Sequence, residues 1–175
     1  MDASQLILHL RNITGDHQAI RFSDYQLMGF LNDAISMVYD SFIGNANPLA
    51  KKLTTLRISN GKASLPDDFH SVSLVDDMIP WAESTSPDSG YYKIIGSDFY
   101  CGEAEAVMEY FYLPALITAS DDSVDIPRSL FNTVVNVAKL IMIGDRMGAD
   151  NVIYKAMASM ASRGVTFIPD RKAFD

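Results

Sequence analysis

The hydrophobic repeat of this chain changes twice: it steps by three and four residues up to about Ser41, alternates by two from Leu53, and returns to helical spacing after Asp125. Helices, then strands, then helices define an α+β chain. It is expected to have a helical core of three to four helices with an antiparallel β module inserted between the second and third major ones. Residues 1–52 and 114–175 are assigned to the core with a C-terminal tail, and residues 53–113 to the inserted module. With 175 residues and 48% hydrophobic side chains, the chain is expected to bury one sizeable core rather than two independent domains.

Local signals place the elements. Leu6, Ile7 and Leu10 suggest a short first helix that Thr14-Gly15-Asp16 ends. Ser23 and Gln26 have the spacing of a capping box, with Phe22 and Leu27 at hydrophobic-staple positions, and Leu27, Leu31, Ala34, Ile35, Val38 and Phe42 form one apolar stripe behind it. Asn60-Gly61 tolerates the positive φ angles of a type I′ turn, so Leu56 and Ile58 are read as pairing with Ala63 and Leu65 in a hairpin. Tyr92, Ile94 and Ile95 face Phe99 and Cys101 across Gly96-Ser97 in a second hairpin, and Val72–Val75 and Ala106–Tyr112 supply further strands. Pro127 suits the first turn of a helix, Asp121, Asp122 and Asp125 favour its positive end, and Leu130, Val134, Val137, Ala138 and Ile141 make it apolar over much of its circumference. That surplus suggests a central helix with surface left over for contact between subunits. Asp150 is the expected cap of the last helix, whose Ile153, Met157 and Met160 continue the core.

Charge is unevenly spread. From Leu65 to Asp125 there are thirteen acidic side chains and one basic one, Lys93, against nine acidic and thirteen basic elsewhere, so the middle third is near −12 within a net charge of −8. Such segregation speaks about partners and solubility. No basic n-region with a long apolar segment begins the chain and no apolar run approaches the roughly 20 residues of a membrane span, so a soluble protein folded in the cytoplasm is expected. One cysteine, Cys101, excludes an internal disulfide and a Cys-based zinc cage.

Chemistry-bearing patterns are scarce. His9, His17 and His70 have no histidine or carboxylate partner at helical metal-site spacing, and Asp67-Asp68, Asp76-Asp77 and Asp121-Asp122 lack the glycine and terminal glutamate of a Ca²⁺ loop. Cys101 has no basic neighbour to lower its pKa. No phosphate loop, G-x-S-x-G elbow or H-E-x-x-H helix is present, so neither enzyme nor cofactor nor metal is expected. A pI of 4.7 argues against adhesion to DNA, although an acidic wall suits DNA that must slide past.

Arg21-Phe22-Ser23-Asp24, Leu31-Asn32-Asp33-Ala34, Leu65-Pro66-Asp67-Asp68-Phe69, Glu109-Tyr110-Phe111-Tyr112 with Pro114, and Asp125-Ile126-Pro127 occur in this order between Arg21 and Ile143. Together they resemble the head-to-tail adaptor (connector) proteins of tailed bacteriophages. The resemblance implies a structural virion protein at the neck, folded in the host cytoplasm. Its subunits would form a ring, commonly dodecameric, beneath the portal protein. Such a ring extends the DNA channel without sequence-specific binding, receives tail or tail-completion proteins, and needs no membrane. On this reading Asp67, Asp68, Asp76, Asp77, Glu103, Glu105 and Glu109 present an acidic surface to the channel or the tail side. Phe167, Ile168 and Phe174 anchor the C-terminal tail on the portal with Arg171 and Lys172 at the rim, the alternative being that the tail folds back on its own core. A different class also fits the composition: a soluble, non-virion α+β domain that binds a ligand or ion and recruits a basic partner through its acidic face.

Overall fold

A computed structural model of the chain describes residues 2–83 and 85–162. Among them are four α-helices, α1 (Ala3–Thr14), α2 (Asp24–Gly44), α3 (Phe131–Met142) and α4 (Arg146–Ser162). Between α2 and α3 lie seven strands: β1 (Lys51–Arg57), β2 (Lys62–Ser64), β3 (Phe69–Val75), β4 (Ile79–Pro80), β5 (Tyr91–Ile95), β6 (Asp98–Cys101) and β7 (Glu105–Tyr112). Of the described residues, those up to Leu49 and those from Pro114 make one compact unit, and Ala50–Leu113 make a second. Two interiors thus replace the single core expected from length, because the strands' alternating side chains close on one another.

In the helical unit the capping box forms as spaced: the Gln26 N–H donates to Ser23 Oγ at 3.2 Å and the Ser23 N–H to Gln26 Oε1 at 2.9 Å. Leu27, Leu31, Ala34, Val38 and Phe42 are wholly buried along α2, which runs on to Gly44, where the Asn45 side chain closes the last turn on the Ser41 carbonyl. α1 ends at Gly15, whose φ of 72° is the left-handed conformation that a helix-terminating glycine supplies without strain. Pro127 does not open α3. It is extended, with ψ at 137°, and a single 3₁₀ turn, Arg128–Leu130, precedes the α-helix. Asp122 also lies away from that helix end, accepting from the Thr118 and Ala119 N–H groups to close a turn of its own. α3 packs against α1, α2 and α4 and buries Val134, Val135, Val137 and Ala138, while Phe131, Leu140, Ile141 and Met142 are half-buried and Ile143 is exposed. The cap of α4 is Asp145 rather than Asp150, the Gly148 N–H donating to Asp145 Oδ1 at 2.8 Å. Ala149 and Ile153 are buried, whereas Met157 and Met160 are half-exposed.

In the β unit, Asn60 and Gly61 have φ of 54° and 75°, and Ser59 and Lys62 exchange backbone hydrogen bonds, so the I′ turn is present. Its flanks do not form the expected hairpin. β1 pairs with β7, and β2 with β6, which makes this turn a corner between a three-stranded sheet, β1-β7-β3, and a four-stranded one, β2-β6-β5-β4. The Ile58 N–H, bonded to the Ala104 carbonyl, keeps the chain on the β7 side until the turn begins. The second hairpin has the register read from sequence, Ile94 opposite Phe99 and Tyr92 opposite Cys101. β4 pairs with β5 in parallel, a detail the sequence did not announce. β3 carries register shifts at His70 and Ser73, and these bulges let Phe69, Val72 and Val75, spaced by three, share one face opposite Tyr112, Tyr110 and Met108. Leu56, Val75, Tyr92, Phe99, Cys101, Ala106 and Met108 are among the unit's buried side chains.

Candidate functional site

Histidine and cysteine enter ordinary packing. The His9 ring lies tilted against Phe131 with centroids 5.1 Å apart, His17 bonds Asn12 and His70 bonds Ser71. Cys101 is buried, and burial pushes its thiol up, away from the reactive thiolate. Among the described residues no three His, Cys, Asp or Glu side chains group as metal ligands, and no helix is long and apolar enough to cross a membrane.

The acidic residues divide by environment. Lys52 Nζ lies 2.6 Å from Asp68 Oδ2, and the Tyr110 hydroxyl donates to Asp68 Oδ1 at 2.9 Å. Lys51 Nζ lies 2.8 Å from Glu109 Oε1, which also accepts from Ser73 Oγ at 2.7 Å. Burial pushes the Glu109 carboxyl up, but the bonds from Lys51 and Ser73 outweigh it and hold the group below its usual range. The Asp76 carboxylate accepts from the Val107 N–H and extends the β3–β7 ladder past its last pair. Glu103 accepts from Ser89 Oγ, while Asp67, Asp77 and Glu105 are exposed. Phe167, Ile168, Arg171, Lys172 and Phe174 lie outside the described residues.

Strand pairing therefore reduces the charge segregation seen along the chain. The window beginning at Leu65 leaves out Lys51, Lys52, Arg57 and Lys62, and the fold places three of these lysines on Glu109, Asp68 and Asp98. The unit Ala50–Leu113 holds ten acidic and five basic residues, near −5 rather than −12.

Two polar arrangements, one part-buried and one buried, were not foreseen. Asn32, on α2, donates through Nδ2 to the Ile117 carbonyl at 2.9 Å and accepts through Oδ1 from the Ile117 N–H at 2.8 Å, clamping the segment that returns from the β unit. Its signal in sequence was an amide interrupting the apolar neighbourhood of Leu31 and Ala34. Asn32→Ala leaves both Ile117 backbone groups without this partner, and we expect a loss of about 1–3 kcal/mol in urea denaturation. The second arrangement joins Arg11, 7% exposed, to Asp16, 3% exposed, at 2.6 Å. Asp16 also accepts from the N–H groups of Ile20, Arg21 and Phe22, and the bond from Arg21 is the leading cause that holds its carboxyl below the usual range.

Asp16, Asp122 and Glu109 are all held low, Asp122 chiefly by the Thr118 N–H. Each contributes stability that is fully present above the unfolded carboxylate range, roughly pH 4–4.5, and is lost as pH falls through the lower folded values. The urea midpoint should therefore drop steeply below about pH 4. Stability that holds level or rises on acidification from pH 5 to pH 3 would contradict this.

The short motifs that suggested kinship have structural work in this fold: Leu31 and Ala34 in the helical interior, Asn32 on Ile117, Leu65 buried, Asp68 on Lys52 and Tyr110, and Glu109 to Tyr112 along β7. Comparison with curated proteins finds no match. The SU10 adaptor protein family matches residues 1–165, covering the helical elements on both sides and the whole inserted module. The chain thus belongs to the SU10 adaptor proteins, a family of phage head-to-tail adaptors.

Proposed function

We propose that this chain is the subunit of a ring in the virion neck that sits beneath the portal, continues its DNA channel, and receives a tail or tail-completion protein. The observation that carries the reading is the family match over residues 1–165, which includes both compact units. A subunit of this kind has a structural role and needs surfaces rather than a catalytic constellation. It also needs a wall to which DNA does not adhere, and a net charge of −8 is consistent with that. The acidic surface is carried best by exposed Asp67, Asp77 and Glu105, with Asp76 and Glu103 beside them in sequence, because Asp68 and Glu109 are neutralised by lysines. Only charges within about 8 Å of passing DNA act on it at physiological salt. The residues after Gly164, with Phe167, Ile168 and Phe174 as anchors and Arg171 and Lys172 at the rim, are assigned to portal docking.

The test is to mix the chain with purified portal and image the product by electron microscopy while measuring its mass. Portal-dependent rings support the reading. A chain that stays monomeric with portal present, or that binds duplex DNA at submicromolar concentration in physiological salt, overturns it.

A further inference from the structure

The three-stranded sheet is open on both sides. β1 and β3 each pair with β7 alone, and among the described residues no strand lies on their outer sides. The four-stranded sheet ends instead on the three residues of β2 and the two of β4. Very short edges are ordinary protection against stray pairing, whereas β1 and β3 each offer seven residues. Edge lysines are another usual protection, yet Lys51 and Lys52 are drawn into ion pairs with Glu109 and Asp68 of their own sheet.

The two open edges differ in a complementary way. Leu53 of β1 and Leu74 of β3 both stand opposite Glu109, so they flank it on one row of the sheet, and they are 53% and 56% exposed. With Lys51 and Lys52 held by Glu109 and Asp68, β1 keeps exposed Arg57 at its end, while β3 is followed by exposed Asp76 and Asp77. Both strands are antiparallel to β7 and so run in the same direction.

Building on the ring reading above, we propose that the β1 edge of one copy docks in parallel against the β3 edge of the next, with Leu53 beside Leu74. This register sets Thr54 beside Val75, where β3 ends, and Arg57 then runs past the turn that Asp76 and Asp77 make. Two unlike edges make a head-to-tail contact that closes by rotation, and in a ring whose copies all point the same way the meeting strands must be parallel. The bulges at His70 and Ser73 disfavour a flat strand along β3, so the contact is confined to Leu74 and Val75, which follow the second bulge and end the strand. So short a contact is weak between two free copies and gains strength when other contacts already hold the copies together.

Cysteine cross-linking tests the pairing. Neighbouring strands bring Cα atoms within the roughly 4.4–6.8 Å that a disulfide spans, and the native Cys101 is buried. Rings assembled on purified portal are treated with copper phenanthroline and run on a non-reducing denaturing gel. The double variant Leu53→Cys/Leu74→Cys should give a ladder of covalent multimers. A mixture of the two single variants should give dimers, and neither single variant should do so alone. Rings seen by microscopy without a ladder, or dimers from one single variant alone, overturn this pairing and leave the ring reading standing. Failure to form rings at all, for the unmodified chain as well, overturns both.

Discussion

Phe99→Ala is expected to unfold the β module while the helical unit stays folded. Phe99 is wholly buried on β6, between β2 and β5, and its ring stacks on Tyr92 with centroids 5.7 Å apart and planes 9° from parallel. Truncating a buried phenylalanine costs about 3–5 kcal/mol, and a unit spanning only Ala50–Leu113 belongs to the size class whose whole net stability is about that large. The helical unit has its own interior in Leu6, Leu10, Leu31, Val38, Phe42 and Val134, so it has no need of Phe99. Hydrogen exchange should show lost protection through β5, β6 and β7 with α2 and α3 still protected. Equal loss of protection in both units would show that they fold as one.

Arg11→Met should lower the melting temperature by on the order of 10 °C. Arg11 donates through Nη1 to Asp16 and through Nη2 to the Phe22 carbonyl at 3.0 Å and to Asp24 at 2.6 Å, so one guanidinium ties α1 to the start of α2. Removing it leaves the Asp16 carboxylate buried without its counter-charge. Arg11→Lys keeps the charge but loses the planar fork, and a smaller drop is expected. A pH series separates this account from simple loss of packing. With Arg11 present, the lowered Asp16 pKa adds stability at neutral pH that disappears as pH falls through the folded value. Arg11 is the smallest of the causes that hold Asp16 low, behind the N–H groups of Arg21, Phe22 and Ile20, so without it that pKa rises only in part and the gap between variant and parent should narrow slightly below about pH 4. A gap that stays constant from pH 7 to pH 3 would mean the side chain acts through its packing alone.

The parts legible in the sequence were those governed by neighbours along the chain. The capping box at Ser23, the glycine stop at Gly15, the I′ turn at Asn60-Gly61 and the Gly96-Ser97 hairpin each depend on a few consecutive residues. What a turn joins is another matter: the strands flanking Asn60-Gly61 part company because β7 and β6, some forty residues later, offer better partners. Long-range pairing also explains the acidic stretch, whose lysine partners stand just before it in sequence but directly across the sheet in the fold. Asp145 caps α4 in place of Asp150 because the helix already begins at Arg146, the residue after it. Asn32 and Arg11 gave only the sign of a polar group among apolar ones, since their partners, Ile117 and Asp16, are set by tertiary geometry.

The first and last strands of the module are hydrogen-bonded neighbours, Lys51 opposite Phe111 and Lys52 opposite Tyr110. Facing Cα atoms in such a ladder are about 4.5–5.5 Å apart, little more than one peptide step. The chain therefore departs and comes back at nearly the same place, and the break left by cutting out the whole stretch could be sealed with one or two residues. In a phage genome, that geometry makes the stretch a cassette, open to loss, gain or exchange by recombination in frame, while the helices on either side keep the same spacing to bridge.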